Sequence, residues 1–127
     1  MIYEEEGYAI RGAVIEVARN LGAGFAEEVY QEALEMELAE RGIPFDPQRE
    51  IRISYKGRPI RKTYRPDLIC YGKIIVELKA VRALAPDHEA QLLNYLKATG
   101  MHLGILVNFG AWPKAEIRSF VFGTPET

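Results

Sequence analysis

The stretch HLGILVNFG (102–110) is almost wholly apolar and short. A run of this length and composition is typical of a strand that is buried on both faces, as in a sheet with helices packed against it. Directly before it, Pro86 begins a helical stretch that ends at Thr99, with Gly100 as a left-handed stop. The buried strand and its preceding helix therefore predict a layered arrangement of helices on a sheet.

Helical and strand patterns can be assigned along the rest of the chain. Apolar residues at helical spacing predict an amphipathic helix over about 5–20, which LGAG (21–24) ends. A second helix is predicted from about Phe25 to Arg41 and stops at Gly42. Further strands are predicted at about 51–55, 62–70, 73–79 and 115–122. The predicted order is α–α–β–β–β–α–β–β, an α/β (α+β) fold.

Length and composition favour one globular domain over residues 1–127, with 48% hydrophobic and 27% charged residues. The single cysteine, Cys70, has no partner for an internal disulfide, so a reducing, cytoplasmic setting is expected. The acidic start MIYEEEGYAI does not resemble a secretory signal. No apolar run approaches the ~20 residues of a membrane span, so no membrane association is expected.

The net charge of −2 is unevenly distributed along the chain. Residues 1–46 are strongly acidic, whereas residues 49–82 are rich in Lys and Arg. A basic central segment beside an acidic helical one is compatible with a polyanion partner on one face, and equally with a solvated surface of both signs. The overall acidity argues against strong non-specific binding to nucleic acid.

The segment RPDLICYGKIIVELK (65–79) predicts a β-hairpin with unusual charges. Side chains alternate along a strand, so Glu77 and Lys79 share one face whatever the fold. A three-residue loop with Gly72 in a left-handed conformation pairs Asp67 with Glu77, whereas a two-residue loop turns Asp67 to the opposite face. In the first register the two carboxylates need a cation or a shared proton, and oxygen ligands suit Mg²⁺ or Mn²⁺. The alternative is a solvated ion pair of Glu77 and Lys79.

Two helices present polar side chains beside their apolar stripes. Glu27 lies at the edge of a buried stripe, although the first turn of a helix also favours a glutamate without any partner. That stripe consists of Tyr30, Leu34 and Leu38. In the 86–99 helix, Gln91 and Tyr95 lie one turn apart and flank the apolar face together with His88. These residues either belong to a functional site or are ordinary polar residues at the edge of an amphipathic helix.

The segment GFAEEVY (24–30) places Gly24, Glu27 and Tyr30 at the spacing for which the GxxExxY family is named, and the chain resembles that family. Other similar segments are RGIPFDPQREIRISYKG, YRPDL, IIVELKAV, HEAQLLNYLKATG and GILVNFG, which together span about residues 8–110. The family is placed in the PD-(D/E)xK nuclease superfamily. The resemblance implies a restriction-endonuclease-like fold, with core order α–β–β–β–α–β and a mixed central sheet flanked by helices. This chain would add an N-terminal helix and a C-terminal strand.

The resemblance also implies a set of site residues. The PD element, the (D/E)xK element, an acid on the first core helix and the QxxxY element supply the catalytic candidates Asp67, Glu77, Lys79, Glu27, Gln91 and Tyr95. The implied ligands for Mg²⁺ or Mn²⁺ are Asp67, Glu77, Glu27 and the backbone carbonyl of Leu78. Lys79 would orient the attacking water or balance charge on the phosphorus. One departure is Ala85, which lacks a side chain able to cap the helix at Pro86.

The expected function is Mg²⁺-dependent hydrolysis of phosphodiester bonds in DNA or RNA. Candidate phosphate contacts are Arg58, Arg61, Lys62 and Arg65. Two alternatives stay open: a catalytically silent nucleic-acid-binding or scaffold module, and an enzyme for another phosphorylated or acidic substrate. One cysteine and two histidines are too few for a Cys/His metal site. An antiparallel edge over 115–122 would let two copies pair as a homodimer.

Overall fold

The structure, a computed structural model, describes residues 2–125. Its helices are α1 (Glu4–Leu21), α2 (Glu27–Glu40) and α3 (Pro86–Thr99). Its strands are β1 (Phe45–Pro47), β2 (Ile51–Tyr55), β3 (Arg58–Tyr64), β4 (Leu68–Cys70), β5 (Ile74–Lys79), β6 (Leu103–Asn108) and β7 (Glu116–Val121). Within the described range, no helix is both long enough and apolar enough to cross a bilayer.

The central sheet has five strands in the order β1-β4-β5-β6-β7. The β5–β6 pair is parallel and the other pairs are antiparallel, so the sheet is mixed. One face packs against α1 and α2, and a smaller core on the other face packs against α3. Every residue of β6 is buried, as the apolar run 102–110 predicts, because helices cover both faces at the middle of the sheet.

The strand predicted over 62–70 was wrong as a single element. The chain leaves β3 at Tyr64 and enters β4 at Leu68, with a buried Pro66 between them. Proline has no N–H to continue a ladder, so it suits the point where a strand ends. Strands β2 and β3 pair only with each other and form a separate two-stranded ribbon.

The first core strand is therefore not the one at 51–55. It is β1, a three-residue strand that the sequence pattern did not reveal, and it pairs with β4. The core order α–β–β–β–α–β is made by α2, β1, β4, β5, α3 and β6, with the ribbon inserted after β1. Helix α1 and strand β7 are the additional N-terminal helix and C-terminal strand.

Helix α3 has the predicted bounds, and Gly100 takes the left-handed conformation expected of its stop (φ 74°). At the other end, His88 compensates for the missing cap at Ala85. Its Nδ1 accepts a hydrogen bond from the Ala85 N–H at 3.1 Å, as the third-position residue of a capping box does. His88 is therefore a capping residue at the start of α3.

Candidate active site

The turn at Gly72 decides which way Asp67 faces. The hairpin pairs Leu68 with Val76 and Cys70 with Ile74, which leaves a three-residue loop over 71–73. Gly72 has a left-handed φ of 68°. Extended by one residue, this register puts Asp67 opposite Glu77 rather than opposite Val76. Both carboxyl groups therefore lie on the same face of the sheet as Lys79.

Hydrogen bonds fix the two acids at the end of the hairpin. The Leu78 N–H donates to Asp67 Oδ2 at 2.7 Å. Glu77 Oε1 accepts the Tyr64 hydroxyl and, at 3.3 Å, the Asp67 N–H. The Asp67 carbonyl is itself held by the Gln48 N–H at 3.2 Å. Asp67 and Glu77 are therefore positioned by backbone donors on the strands that carry them, which keeps their side chains close together.

Burial makes both carboxyl groups weaker acids than usual. Burial, followed by the charge of Asp67, raises the pKa of Glu77 to about 7. Burial also raises the pKa of Asp67, against the lowering effects of the Leu78 N–H, of Lys79 and of a hydrogen bond with Glu77. In the metal-free protein Glu77 therefore stays protonated to about neutral pH, which relieves the repulsion between two carboxylates in this close register.

Lys79 lies two residues beyond Glu77 on the same face of β5 and is half-buried. Its charge lowers the pKa of Glu77, Asp67 and Glu27, so it acts electrostatically on all three acids. The Leu78 carbonyl points toward the same acids. In an extended strand the N–H and C=O of one residue point to the same side, and the Leu78 N–H donates to Asp67.

Glu27 is the first residue of α2, and the loop before it explains the spacing of Gly24, Glu27 and Tyr30. Gly24 has φ 114°, a conformation that other residues rarely adopt. The buried Tyr30 hydroxyl donates to the Gly22 carbonyl at 2.5 Å and accepts the Phe25 N–H at 3.2 Å. Tyr30 thus ties the loop to the core, and the helix then begins at a fixed place.

Glu27 lies half-buried beside the buried stripe, as predicted. Its pKa is raised by burial first and by the charge of Asp67 second. The structure therefore brings Glu27 into the electrostatic environment of the hairpin acids. A groove of about 390 Å³ lies along α2 and Asp67, and its lining is mostly carboxylate: Glu27, Glu28, Gln31, Glu32, Glu35, Gln48 and Asp67.

Two residues at the site were missed by sequence reasoning. Gln31 was not among the predicted site residues, but its side-chain amide donates to the Asp67 carbonyl at 3.0 Å. Its position one turn after Glu27 was the available signal, because residues four apart share a helix face. Tyr64 was overlooked although it begins the segment YRPDL, and its hydroxyl bonds Glu77.

The α3 residues Gln91 and Tyr95 lie on the face of the sheet that carries Glu77. Glu27 approaches from α2 on the opposite face. The Tyr95 ring stacks on the Tyr64 ring with planes 15° apart. Burial and the charge of Glu77 raise the pKa of Tyr95, while a hydrogen bond from Gln91 lowers it. Tyr95 therefore supports Tyr64, and Gln91 is an exposed residue at the margin of the site.

The predicted phosphate contacts lie apart from the acids. Arg58, Arg61 and Lys62 are exposed on strand β3 of the ribbon. Arg65 follows the ribbon and pairs with Glu50 at 3.1 Å. These four side chains form a basic surface beside the site and do not contact its acidic residues.

A buried asparagine closes the carboxyl end of the sheet. Asn108 pairs with Lys79 across the parallel strands. Its side-chain oxygen accepts the Val81 N–H at 2.9 Å and the Gly110 N–H at 3.0 Å. Gly110 approaches so closely that a Cβ there would lie 2.7 Å from the Val81 nitrogen. The segment that follows Lys79 is therefore fixed by Asn108 and Gly110.

The donor set at the hairpin suits a hard divalent cation. All its candidate ligands are oxygens, and Asp67 and Glu77 are partly buried carboxyl groups whose ionised forms a cation would stabilise. Within residues 2–125, no three Asp, Glu, His or Cys side chains already converge on one metal position. These residues therefore suit an ion that keeps several bound waters. Asp67, Glu77 and the Leu78 carbonyl would hold this ion, with Glu27 as a more distant acid.

The sequence matches the PD-(D/E)XK nuclease superfamily over residues 4–120. The chain belongs to this superfamily. PD-(D/E)XK nucleases generally use divalent metal ions, in keeping with the oxygen-rich donor set. No curated protein matches the sequence significantly.

Among solved structures, the crystal structure of SSO0001 is similar to this PD-(D/E)XK domain with a TM-score of 0.60 and 22% sequence identity. The similarity covers 78% of this chain and 52% of SSO0001, so the chain spans about half the length of that protein. At this identity the similarity concerns the fold alone. The fold is restriction-endonuclease-like, as predicted, with helices flanking a mixed five-stranded sheet.

Proposed function

We propose that this domain is a metal-dependent nuclease that hydrolyses phosphodiester bonds in DNA or RNA. The observation that carries the proposal is the hairpin register: in it, Asp67 lies opposite Glu77 and on the same face of the sheet as Lys79. A close acid pair beside a lysine is an arrangement suited to phosphate chemistry, because it combines a cation site with a positive charge for the phosphate.

The metal would be Mg²⁺ or Mn²⁺, held by Asp67, Glu77 and the Leu78 carbonyl, with Glu27 as a further acid. When bound, it neutralises phosphate charge and makes a bound water more acidic. The chain's own contribution is to place the oxygens: the Leu78 N–H orients Asp67, and the Tyr64 hydroxyl orients Glu77. Tyr64 is a positioning residue, because it acts through Glu77.

Lys79 would stabilise negative charge that develops on the phosphate oxygens and orient the attacking water. It lies half-buried among acids whose pKa values it lowers, so its positive charge is held near the reacting position. Gln91 and Tyr95 would position the acid side chains or the nucleic-acid backbone. On the ribbon, Arg58, Arg61 and Lys62, followed by Arg65, would contact phosphates outside the cleaved bond.

We further propose that the domain belongs to the GxxExxY branch of the superfamily. The packing supports this assignment because each named position has its own physical task. Gly24 supplies the positive φ, Tyr30 ties the loop to Gly22, and Glu27 is presented at the helix start. We also propose that two copies form a homodimer through the exposed edge strand β7. Sedimentation at several protein concentrations tests this dimer.

Cleavage of labelled nucleic acids tests the function. The purified domain is incubated with single- and double-stranded DNA and RNA in Mg²⁺ or Mn²⁺, with EDTA as the metal-free control. Glu77→Ala and Lys79→Ala should each reduce cleavage about 100-fold or more, since each removes charge stabilisation at the reacting phosphate. Glu40→Ala, an exposed acid at the end of α2 and outside the groove lining, is the matched control and should retain activity.

Activity that survives both Glu77→Ala and Lys79→Ala would refute the assignment of these residues. Metal-independent binding without cleavage would instead support a catalytically silent nucleic-acid-binding module.

A further inference from the structure

A cavity of about 680 Å³ lies between the second half of α1 and the loop that joins β6 to β7. We call it the flank cavity. Its volume is within the range of roughly 300–1,000 Å³ that is typical of small-molecule pockets. Its lining includes Arg11, Ile15 and Arg19 of α1 and Phe109, Lys114 and Glu116 from the end of β6 to the start of β7.

The flank cavity combines an apolar floor with a basic rim. The rim carries the exposed cations Arg11, Arg19 and Lys114. Among the described residues, Arg19 has only a long ion pair with Glu16 at 4.0 Å. Glu116, the one acid in the lining, is already paired with Arg118. The rim is therefore positively charged, and an anionic ligand with an apolar portion complements it.

The flank cavity lies at the same end of the sheet as the candidate active site but on the α1 face, whereas Glu77 and Lys79 lie on the α3 face. Phe109 lines the cavity, and its N–H donates to the Lys79 carbonyl at 2.9 Å. The Phe109 ring also stacks on Tyr30, one turn after Glu27, with ring centroids 4.5 Å apart. The cavity wall on β7 is two strands from β5. Two strand spacings are roughly 10 Å along the sheet, so a nucleic-acid strand that passes over this end of the sheet can reach both places.

Trp112 lies in the same β6–β7 loop, between two residues of the cavity lining, and its side chain is 85% exposed. An exposed indole offers a face for stacking to any base. It is also the only tryptophan of the chain.

We propose that the flank cavity binds a nucleotide next to the scissile phosphate, and that the substrate of this domain is therefore single-stranded there. The base would stack on the exposed Trp112 indole at the mouth of the cavity, next to the apolar lining, and the phosphate would lie between Arg11 and Lys114. A base paired within a duplex cannot enter a concave site, so the strand must be unpaired at this position. The inference rests on the proposed nuclease function for the identity of the polymer.

Binding to the flank cavity is measured without cleavage. Trp112 fluorescence is followed while a single-stranded oligothymidylate is added in EDTA, using both the wild-type domain and Glu77→Gln. Quenching is expected in both proteins, because stacking on Trp112 needs neither metal nor turnover. A blunt duplex of the same length should quench much less.

Charge reversal locates the bound phosphate. At 0.1 M salt each lost phosphate contact on a single strand weakens binding about fivefold and lowers the salt slope by about 0.7. Arg11→Glu and Lys114→Glu should each produce at least that loss. Lys97→Glu, an exposed lysine on α3, is the matched control and should leave binding nearly unchanged.

The two proposals fail separately. Absence of cleavage together with the expected quenching would overturn the nuclease function and leave the flank cavity as a nucleic-acid site. Cleavage without quenching, or with equal binding by Lys114→Glu and Lys97→Glu, would overturn the cavity assignment. Equal quenching by the blunt duplex would overturn the single-strand requirement. Quenching by polyglutamate and not by oligothymidylate would identify an acidic peptide as the occupant and refute the inference.

Discussion

The protonation of Glu77 should control the stability of the metal-free domain. Burial and the charge of Asp67 raise its pKa from the ordinary value of 4.5 to about 7. Each tenfold change in proton affinity corresponds to about 1.4 kcal/mol. The protonated form of Glu77 therefore contributes about 3 kcal/mol to folding, in order of magnitude, relative to the ionised form.

The sign of this contribution follows from which state binds the proton more tightly. The folded protein holds it up to a higher pH than the unfolded chain does. The stabilisation is thus fully present below pH 4.5 and is lost as the pH rises through about 7. Glu77→Gln stays neutral at every pH and keeps an oxygen to accept the Tyr64 hydroxyl. It should match the wild type near pH 4.5 and exceed its stability by up to about 3 kcal/mol at pH 8.

Urea unfolding followed by circular dichroism measures this difference in EDTA at pH 4.5, 6, 7 and 8. Glu40→Gln, an exposed carboxylate at the end of α2, is the control and should differ from wild type by less than about 0.5 kcal/mol at each pH. Added Mg²⁺ should stabilise the wild type at pH 8 and have little effect on Glu77→Gln. A Glu77→Gln protein that is less stable than wild type at pH 8, or a difference that does not change with pH, would refute the electrostatic account.

Three further substitutions test the supports of the site. Tyr64→Phe removes a hydrogen bond to Glu77 and should raise the pKa of Glu77, seen in a carboxyl ¹³C titration; an unchanged titration contradicts this. Asn108→Ala leaves two backbone N–H groups unpaired and should cost about 2–4 kcal/mol in urea unfolding, whereas the exposed control Asn94→Ala should cost little. Gly110→Ala places a methyl group against the loop after β5 and should cost at least about 1 kcal/mol; unaltered stability would show that the loop yields freely.

The sequence by itself determined the features that depend on neighbouring residues. The bounds of α3 follow from Pro86 and Gly100, and the burial of β6 follows from its apolar run. The shared face of Glu77 and Lys79 follows from strand alternation alone. The position of Glu27 beside the buried stripe follows from helical spacing. Local stereochemistry and hydrophobic periodicity carry this information, so no tertiary contact was needed to predict it.

The tertiary structure decided what depends on distant partners. Both hairpin registers satisfied the sequence pattern, and only the loop geometry at Gly72 placed Asp67 opposite Glu77. The short strand β1 has too few residues for a periodic pattern, and it is defined by pairing with β4. Tyr64 and Gln31 meet the acids across gaps in sequence that no local rule spans. Such contacts form only when separate elements pack, because sequence spacing fixes the face of a residue but not which residue lies across from it.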